Sequence, residues 1–378
     1  MAKKINKKVK DIALTVVLGL VMLFFIMIAV FQIYESVSIN DDSERIVLGM
    51  NNTTDSAFGA TIKGSPVAVC DYVGIVSGGN FTVVDRGANI LTEANFMLSD
   101  PILHARGKYV VAADYKGRTA RLYNGGEIEC EVECEGRIIS VVTNANGFFA
   151  VATEETGYNA VINVYHKNGE GIYRYRISDN TFIDMDISAN NRKLIIIEAN
   201  VKSGVYGSNV VLAEFNREDV KSEFFVESNI YVGVHFNKNG SFVCLGNKSI
   251  DFYRSDCALA GSISFENRVL KTADITTDDM VALAFDGAEG APVGSSVLEI
   301  YDKNGEMRGS IAFEDEIEHI SVNGGYIGVA HSDVLDIVKS NGKIKKSFEL
   351  ASPIKFAMPF PAGNAAMIFA GGNTTIVR

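Results

Sequence analysis

The sequence predicts an all-β fold: an eight-bladed β-propeller of four-stranded antiparallel blades, preceded by one N-terminal transmembrane helix. Three observations carry this reading. A hairpin recurs along the chain, and "VYHKNGEGIYRYRI" (164–177) and "IYDKNGEMRGSIAF" (300–313) are two copies of it. The copies return about every 40 residues, the period of a propeller blade. After residue 35 no helical period of useful length appears.

Taken in order, residues 1–11 form a basic tail with Lys3, Lys4, Lys7, Lys8 and Lys10. Residues 12–34, "IALTVVLGLVMLFFIMIAVFQIY", contain no charge. As a helix they span about 34 Å, enough to cross the hydrocarbon core of a bilayer. The lysines precede the stretch and acidic residues follow it, which places the N-terminus in the cytoplasm and the rest outside. A cleaved signal peptide is the competing reading, with "SVS" (36–38) as a weak cleavage site. The apolar run exceeds the usual ~7–15 residues of such a peptide, which favours an uncleaved anchor. Residues 35–43 are a linker, and the propeller occupies 44–378.

The repeated unit is a strand ending in an aromatic residue or Val, a polar turn, and a second alternating strand. Equivalent positions are Val84, Tyr123, Tyr165, Phe215, Tyr253, Tyr301, Val338 and Val377, spaced 39, 42, 50, 38, 48, 37 and 39 apart. Turns rich in Asn-Gly and Gly-Gly supply the positive φ angles of tight hairpins. In the second unit the strands fall at 102–105, 109–114, 118–123 and 128–134. Eight units imply eight blades; seven is the alternative if the unit around Phe215 is irregular. The last unit ends at Arg378 after its third strand, so its fourth is expected from residues 44–62. That stretch holds the alternating runs "RIVLGM" and "SAFGATI", one of which would pair with the C-terminal strand and close the ring, removing its open edge.

On these repeats, residues 44–378 resemble the WD40-like and quinoprotein-like propeller superfamily. The whole chain is similar to single-pass, membrane-anchored propeller proteins of Gram-positive bacteria classed as domains of unknown function. The chain has no Trp. It therefore lacks the Trp-Asp signature of standard WD40 arrays, the tryptophan-docking blades of quinone-dependent dehydrogenases and the terminal Trp of the Asp-box.

After residue 35 the chain carries 30 basic and 44 acidic residues, a net of −14. Such a field repels nucleic acid and anionic lipid, so nucleic-acid partners are not expected. Cys130 and Cys134 lie about 13 Å apart along one strand, too far for a bridge. The sequence points to no disulfide, cofactor or metal site. Phosphate-loop, nucleophile-elbow, dinucleotide and EF-hand motifs are absent from it.

His104, His235 and His319 fall in innermost strands, where they face the central channel, and Asp184 and Asp186 share one strand face at i, i+2. These are the candidates for a channel site, against the ordinary role of local hydrogen bonding. The longest insertions, "EANVKSGVYGSN" (198–209) and "FDGAEGAPVGSS" (285–296), with the shorter "EETGYN" (154–159), read as loops between second and third strands. All three emerge on one face. Loops gathered on a rigid scaffold suggest a binding face, with Tyr158, Lys202 and Tyr206 as contacts and Glu155 and Glu289 at the rim. The expected function is therefore an extracellular propeller, held in the cell membrane through 12–34, that binds an envelope protein or wall component. The alternatives are an envelope glycan hydrolase or lyase at the channel, and a structural spacer.

Overall fold

A computed structural model describes residues 44–47, 54–55, 62–217, 220–287, 292–370 and 373–378 of the chain. The expected anchor and linker lie outside the described residues. Among the described residues no helix is long and apolar enough to cross a membrane.

The described chain forms eight antiparallel sheets in sequence order, each one blade. The inner strands are Ile62–Val69, Pro101–Arg106, Arg137–Thr143, Thr181–Ile187, Tyr231–Phe236, Leu270–Asp274, Ile317–Asn323 and Ile354–Pro359, for blades 1 to 8. Each blade steps outward from its inner strand. Second strands such as Tyr109–Asp114 and Phe149–Glu155 are buried almost throughout, because neighbouring blades cover both faces. Outermost strands such as Leu259–Ser264 alternate with solvent. The blade around Phe215, in doubt from sequence, is regular and has the longest second and third strands, Lys193–Lys202 and Val205–Glu214.

The core is partitioned between blades. Eight apolar clusters occupy the eight blade–blade interfaces. One of them packs Val73, Ile75 and Val84 of blade 1 on Phe360, Met367 and Ile376 of blade 8. Each such side chain contributes roughly 1.5–3 kcal/mol on burial, so apolar packing runs around the whole ring.

The repeated turns differ from expectation in one respect. In "YDKNGEM", Gly305 N donates to Asp302 O at 3.0 Å and Asp302 N to Glu306 O at 2.9 Å. Gly305 alone adopts positive φ (83°), and Tyr301 pairs with Met307 across a bulge. This is a type I turn with a following left-handed residue, in which the Asn preceding the Gly stays right-handed. The same bonds recur at Asp85, His166, Arg254 and Lys339.

Thr54–Asp55 pairs antiparallel with the last strand, opposite Ile376 and Thr375. These two residues lie between the alternating runs singled out in the sequence. The first of those runs instead begins within Glu44–Val47, a fifth strand at the edge of blade 7.

Candidate functional site

The blade order gives the ring two distinct faces. One carries the blade-to-blade connections and the turns between second and third strands (the connection face). The other carries the remaining turns (the turn face).

Toward the turn face the channel is crossed by one side chain. Arg106 ends the inner strand of blade 2. Its Nη1 donates to Asp186 Oδ2 of blade 4 at 3.0 Å, and its Nη2 to Asp278 Oδ1 of blade 6 at 3.0 Å. Nη2 also donates to Phe236 O and lies against the His235 ring, both from blade 5. Blades 2 and 6 stand opposite one another in an eight-membered ring, so Arg106 acts as a spoke. Lys238 Nζ adds a second cation 3.2 Å from Asp278 Oδ2. Asp186 is 2% exposed and also accepts from Phe236 N and Ile187 N, each at 2.7 Å. A charge so deeply buried persists only when compensated in this way.

The channel residues expected from sequence serve the joints between blades. His104 Nδ1 accepts from Thr143 N of blade 3 at 3.0 Å, which fixes a neutral ring with its proton on Nε2. Burial pushes His104 down to about 4. Asp184 accepts from Val234 N of blade 5 at 2.9 Å, and burial pushes its carboxyl up to about 7. Burial, then the Arg106 charge, lowers His235. Asp278 is opposed by burial, yet contact with His235 and the charge of Arg106 hold it well below the usual carboxylate range. His319 packs against Phe356 with ring centroids 4.6 Å apart and a tilt of 49°, burial lowers its pKa, and its Nδ1 is buried without a partner. Thus the three histidines do not converge on one site. Among the described residues, no group of three or more His, Cys, Asp or Glu side chains is placed to hold a metal. The five cysteines are free thiols.

Beside the spoke, the channel opens into a cavity of about 740 Å³ against blades 6, 7, 8, 1 and 2, with Lys238 reaching in from blade 5. Inner strands contribute from Leu103, Ala273, His319 and Phe356 onward toward the turn face, and not from their first two residues. The cavity therefore lies toward the turn face of the channel. Sequence reasoning passed over Arg106, Lys238, Asp278 as a spoke partner, and Arg308. Single basic residues at strand ends carry no motif, and only the ring brings them together.

On the connection face the 198–209 insertion is not a loop. It extends blade 4 as a hairpin with Lys202 opposite Val205, turning on Ser203 and Gly204 with φ of 53° and 81°. Two successive left-handed residues make the tight turn whose twist matches the strands, so Gly and Ser here mark a turn and not a loop. The 154–159 segment is likewise a hairpin, with Glu155 opposite Tyr158. Tyr206 is 47% and Tyr158 39% exposed. Lys248 Nζ stands 5.6 Å from the Tyr206 ring centroid, and the Arg176 guanidinium 5.7 Å from that of Tyr158. Lys202 folds back on its own blade, with Nζ 3.3 Å from Asn209 Oδ1 and 5.0 Å from the Phe225 ring centroid. Glu155 is not a rim contact: it is largely buried and ion-paired with Arg174 at 2.7 Å. Glu289 lies outside the described residues. Sequence reasoning missed Val201 and Val232, exposed by 65% and 56% on this same face.

A family profile described as "Family of unknown function (DUF5711)" matches residues 68–378. The chain belongs to this family. Among solved structures, the C-terminal WD40 domain of Sif2 superposes on this DUF5711 member with a TM-score of 0.60 at 11% identity, covering 86% of this chain and 97% of that one. The likeness shows the WD40-like propeller fold. The Neurospora crassa Pan2 WD40 domain gives a TM-score of 0.47 at 9% identity, over 73% of this chain and 87% of that one, too low to bear on the argument. Among curated proteins none matches. The family match begins at the end of the first inner strand, so the DUF5711 region holds both the spoke and the blade 4 hairpin.

Proposed function

We propose that this DUF5711 propeller is a protein-binding module of the cell envelope, anchored through residues 12–34 and displayed outside the membrane. The observation that carries the reading is the chemistry of the connection face. Tyr158, Val201, Tyr206 and Val232 stand exposed there, on blades 3, 4 and 5, which are consecutive in the ring. Exposed aromatic and aliphatic side chains on a rigid frame are the usual anchors of protein recognition, and tyrosines beside cations suit the centre of such an interface. The hairpin is stiffened from below. Buried Glu198 accepts from Asn180 Nδ2 at 2.5 Å and Asn209 Nδ2 at 3.3 Å. Little ordering entropy is then lost on binding. The basic tail, the uncharged stretch and the acidic remainder support the envelope placement. Asp184 and Asp186, given over to blade 5 amides and Arg106, speak against a glycan-cleaving pair at the channel.

The test is crosslinking and capture from native membranes with the full chain and with a Tyr158→Ser, Val201→Ser, Tyr206→Ser variant. A protein captured by the first and lost with the second supports the proposal. A partner held equally by both would overturn the connection face as the site, and capture of wall polymer alone would replace the protein partner.

A further inference from the structure

The connection face does not involve the cavity beside the spoke, which has its own chemistry. Its deep wall is apolar: Val67, Leu103, Ala105 and Phe356 are each only partly covered. His319 lies on Phe356 with Nδ1 unpartnered, a polar atom enclosed in that wall. The mouth is polar, and two of its three acids, Asp274 and Asp278, are already engaged. Asp278 gives one oxygen to Arg106 and the other to Lys238. Asp274 accepts from Val322 N at 2.7 Å and from Thr276 N and Oγ1 at 2.8 and 2.6 Å. Asp279 is 73% exposed and faces Lys303 at 3.9 Å.

Apart from the solvated Asp279, the remaining bonding capacity at the mouth is therefore donor capacity. Lys238 has three N–H groups and, among the described residues, one partner; its side chain is 74% exposed. Arg308 is exposed and has neither an ion pair nor a hydrogen bond among the described residues. Cations with spare donors lining one cavity, Lys238 beyond its single pair with Asp278 and Arg308 without a pair, stand out in a body of net −14. The volume also lies within the roughly 300–1,000 Å³ of ordinary ligand pockets.

We infer that the cavity is a binding site for a small organic anion, its apolar body against Leu103 and Phe356 and its oxyanion head at Lys238 and Arg308. The planar fork of Arg308 suits a carboxylate or a phosphate ester, and Lys238 adds a point charge to the same cavity.

Cys70 gives a direct readout, because it is exposed and lines this cavity. The rate of its alkylation by a maleimide is measured on the full chain by mass spectrometry, with half-buried Cys257 as internal control. The probes are 4-phenylbutyrate, 4-phenylbutylamine and acetate. The inference expects 4-phenylbutyrate at saturation to slow Cys70 labelling at least tenfold, with Cys257 unaffected. It expects the amine, with the same body and opposite charge, and acetate, the head alone, to protect at least tenfold less well. Lys238→Gln with Arg308→Gln, both at exposed positions, raises the half-protecting concentration of 4-phenylbutyrate about tenfold while the melting temperature holds. Equal protection by the amine, no protection by 4-phenylbutyrate, or an unchanged midpoint in the double variant overturns the inference. Capture on the connection face is read separately, so either proposal can fail alone.

Discussion

Arg106 shows how much one side chain does in this ring. Removing it leaves Asp186 nearly solvent-free with only backbone amides as partners. An uncompensated buried charge costs about 3 kcal/mol or more. Arg106→Ala is expected to lower the melting temperature by about 5 °C or more, whereas Lys238→Ala, at an exposed head, should change it by under about 1 °C. Acid sensitivity belongs to the same scale. His104, His235 and His319 have folded values below that of a free histidine. Above about pH 6.5 they are neutral in both states. As the pH falls below that, the unfolded chain takes up three protons that the folded chain resists, so stability is lost. Asp184, raised to about 7, works the other way. Between about pH 7 and 4 it is protonated first in the folded state and adds stability as the pH falls. Three groups against one leave stability falling toward acid, by up to about 2.7 kcal/mol per pH unit in the middle of the window, where the unfolded histidines are charged and the folded ones are not. Melting temperatures at pH 7.5 and 5.5 check this, and His104→Gln should shrink the difference.

At the scale of elements, the turns were the most legible part of the sequence and also the place where detail was lost. The hairpin register followed from alternation and from the "NG" turns. The turn type did not, because "KNG" is compatible with either one or two left-handed residues. The bulge at Tyr301, which the flanking pattern does not reveal, decides it. In the blade 4 hairpin the composition misled. Gly, Ser and Asn read as a loop, yet the alternation of Val201, Tyr206 and Ser208 continues the ladder. Two glycines separate conformation from packing. Gly204 and Gly305 have nearly equal φ, 81° and 83°, but a Cβ at Gly204 meets nothing within 4 Å. At Gly305 it would lie 2.8 Å from the Phe252 ring. Gly204→Ala should cost about 1 kcal/mol from backbone strain alone. Gly305→Ala should cost at least about 1 kcal/mol more, measured by urea unfolding, and equal costs would show that the ring yields freely.

For the whole molecule, blade number and ring architecture were readable because eight similar units leave few ways to bury their faces. The spoke and the cavity were not readable, since Arg106 and Asp278 are 172 residues apart and meet only across the closed ring. The fastening of that ring tests the role of residues 44–62. If Thr54–Asp55 completes blade 8, deleting 44–62 from the chain lowers its melting temperature or causes aggregation, and an unchanged monomer would count against that role. The envelope proposal adds a prediction of topology. A tag after Arg378 should be digested by protease added to intact protoplasts, and full protection would reverse the orientation.

A ring with a hole invites the idea of a conduit through which a polymer is drawn. The spoke works against that picture, because Arg106 reaches through the axis and ties blade 2 to blades 4, 5 and 6. A strand drawn along the axis would first have to displace a guanidinium from a nearly solvent-free carboxylate. At this level the centre of the ring is a bolted joint.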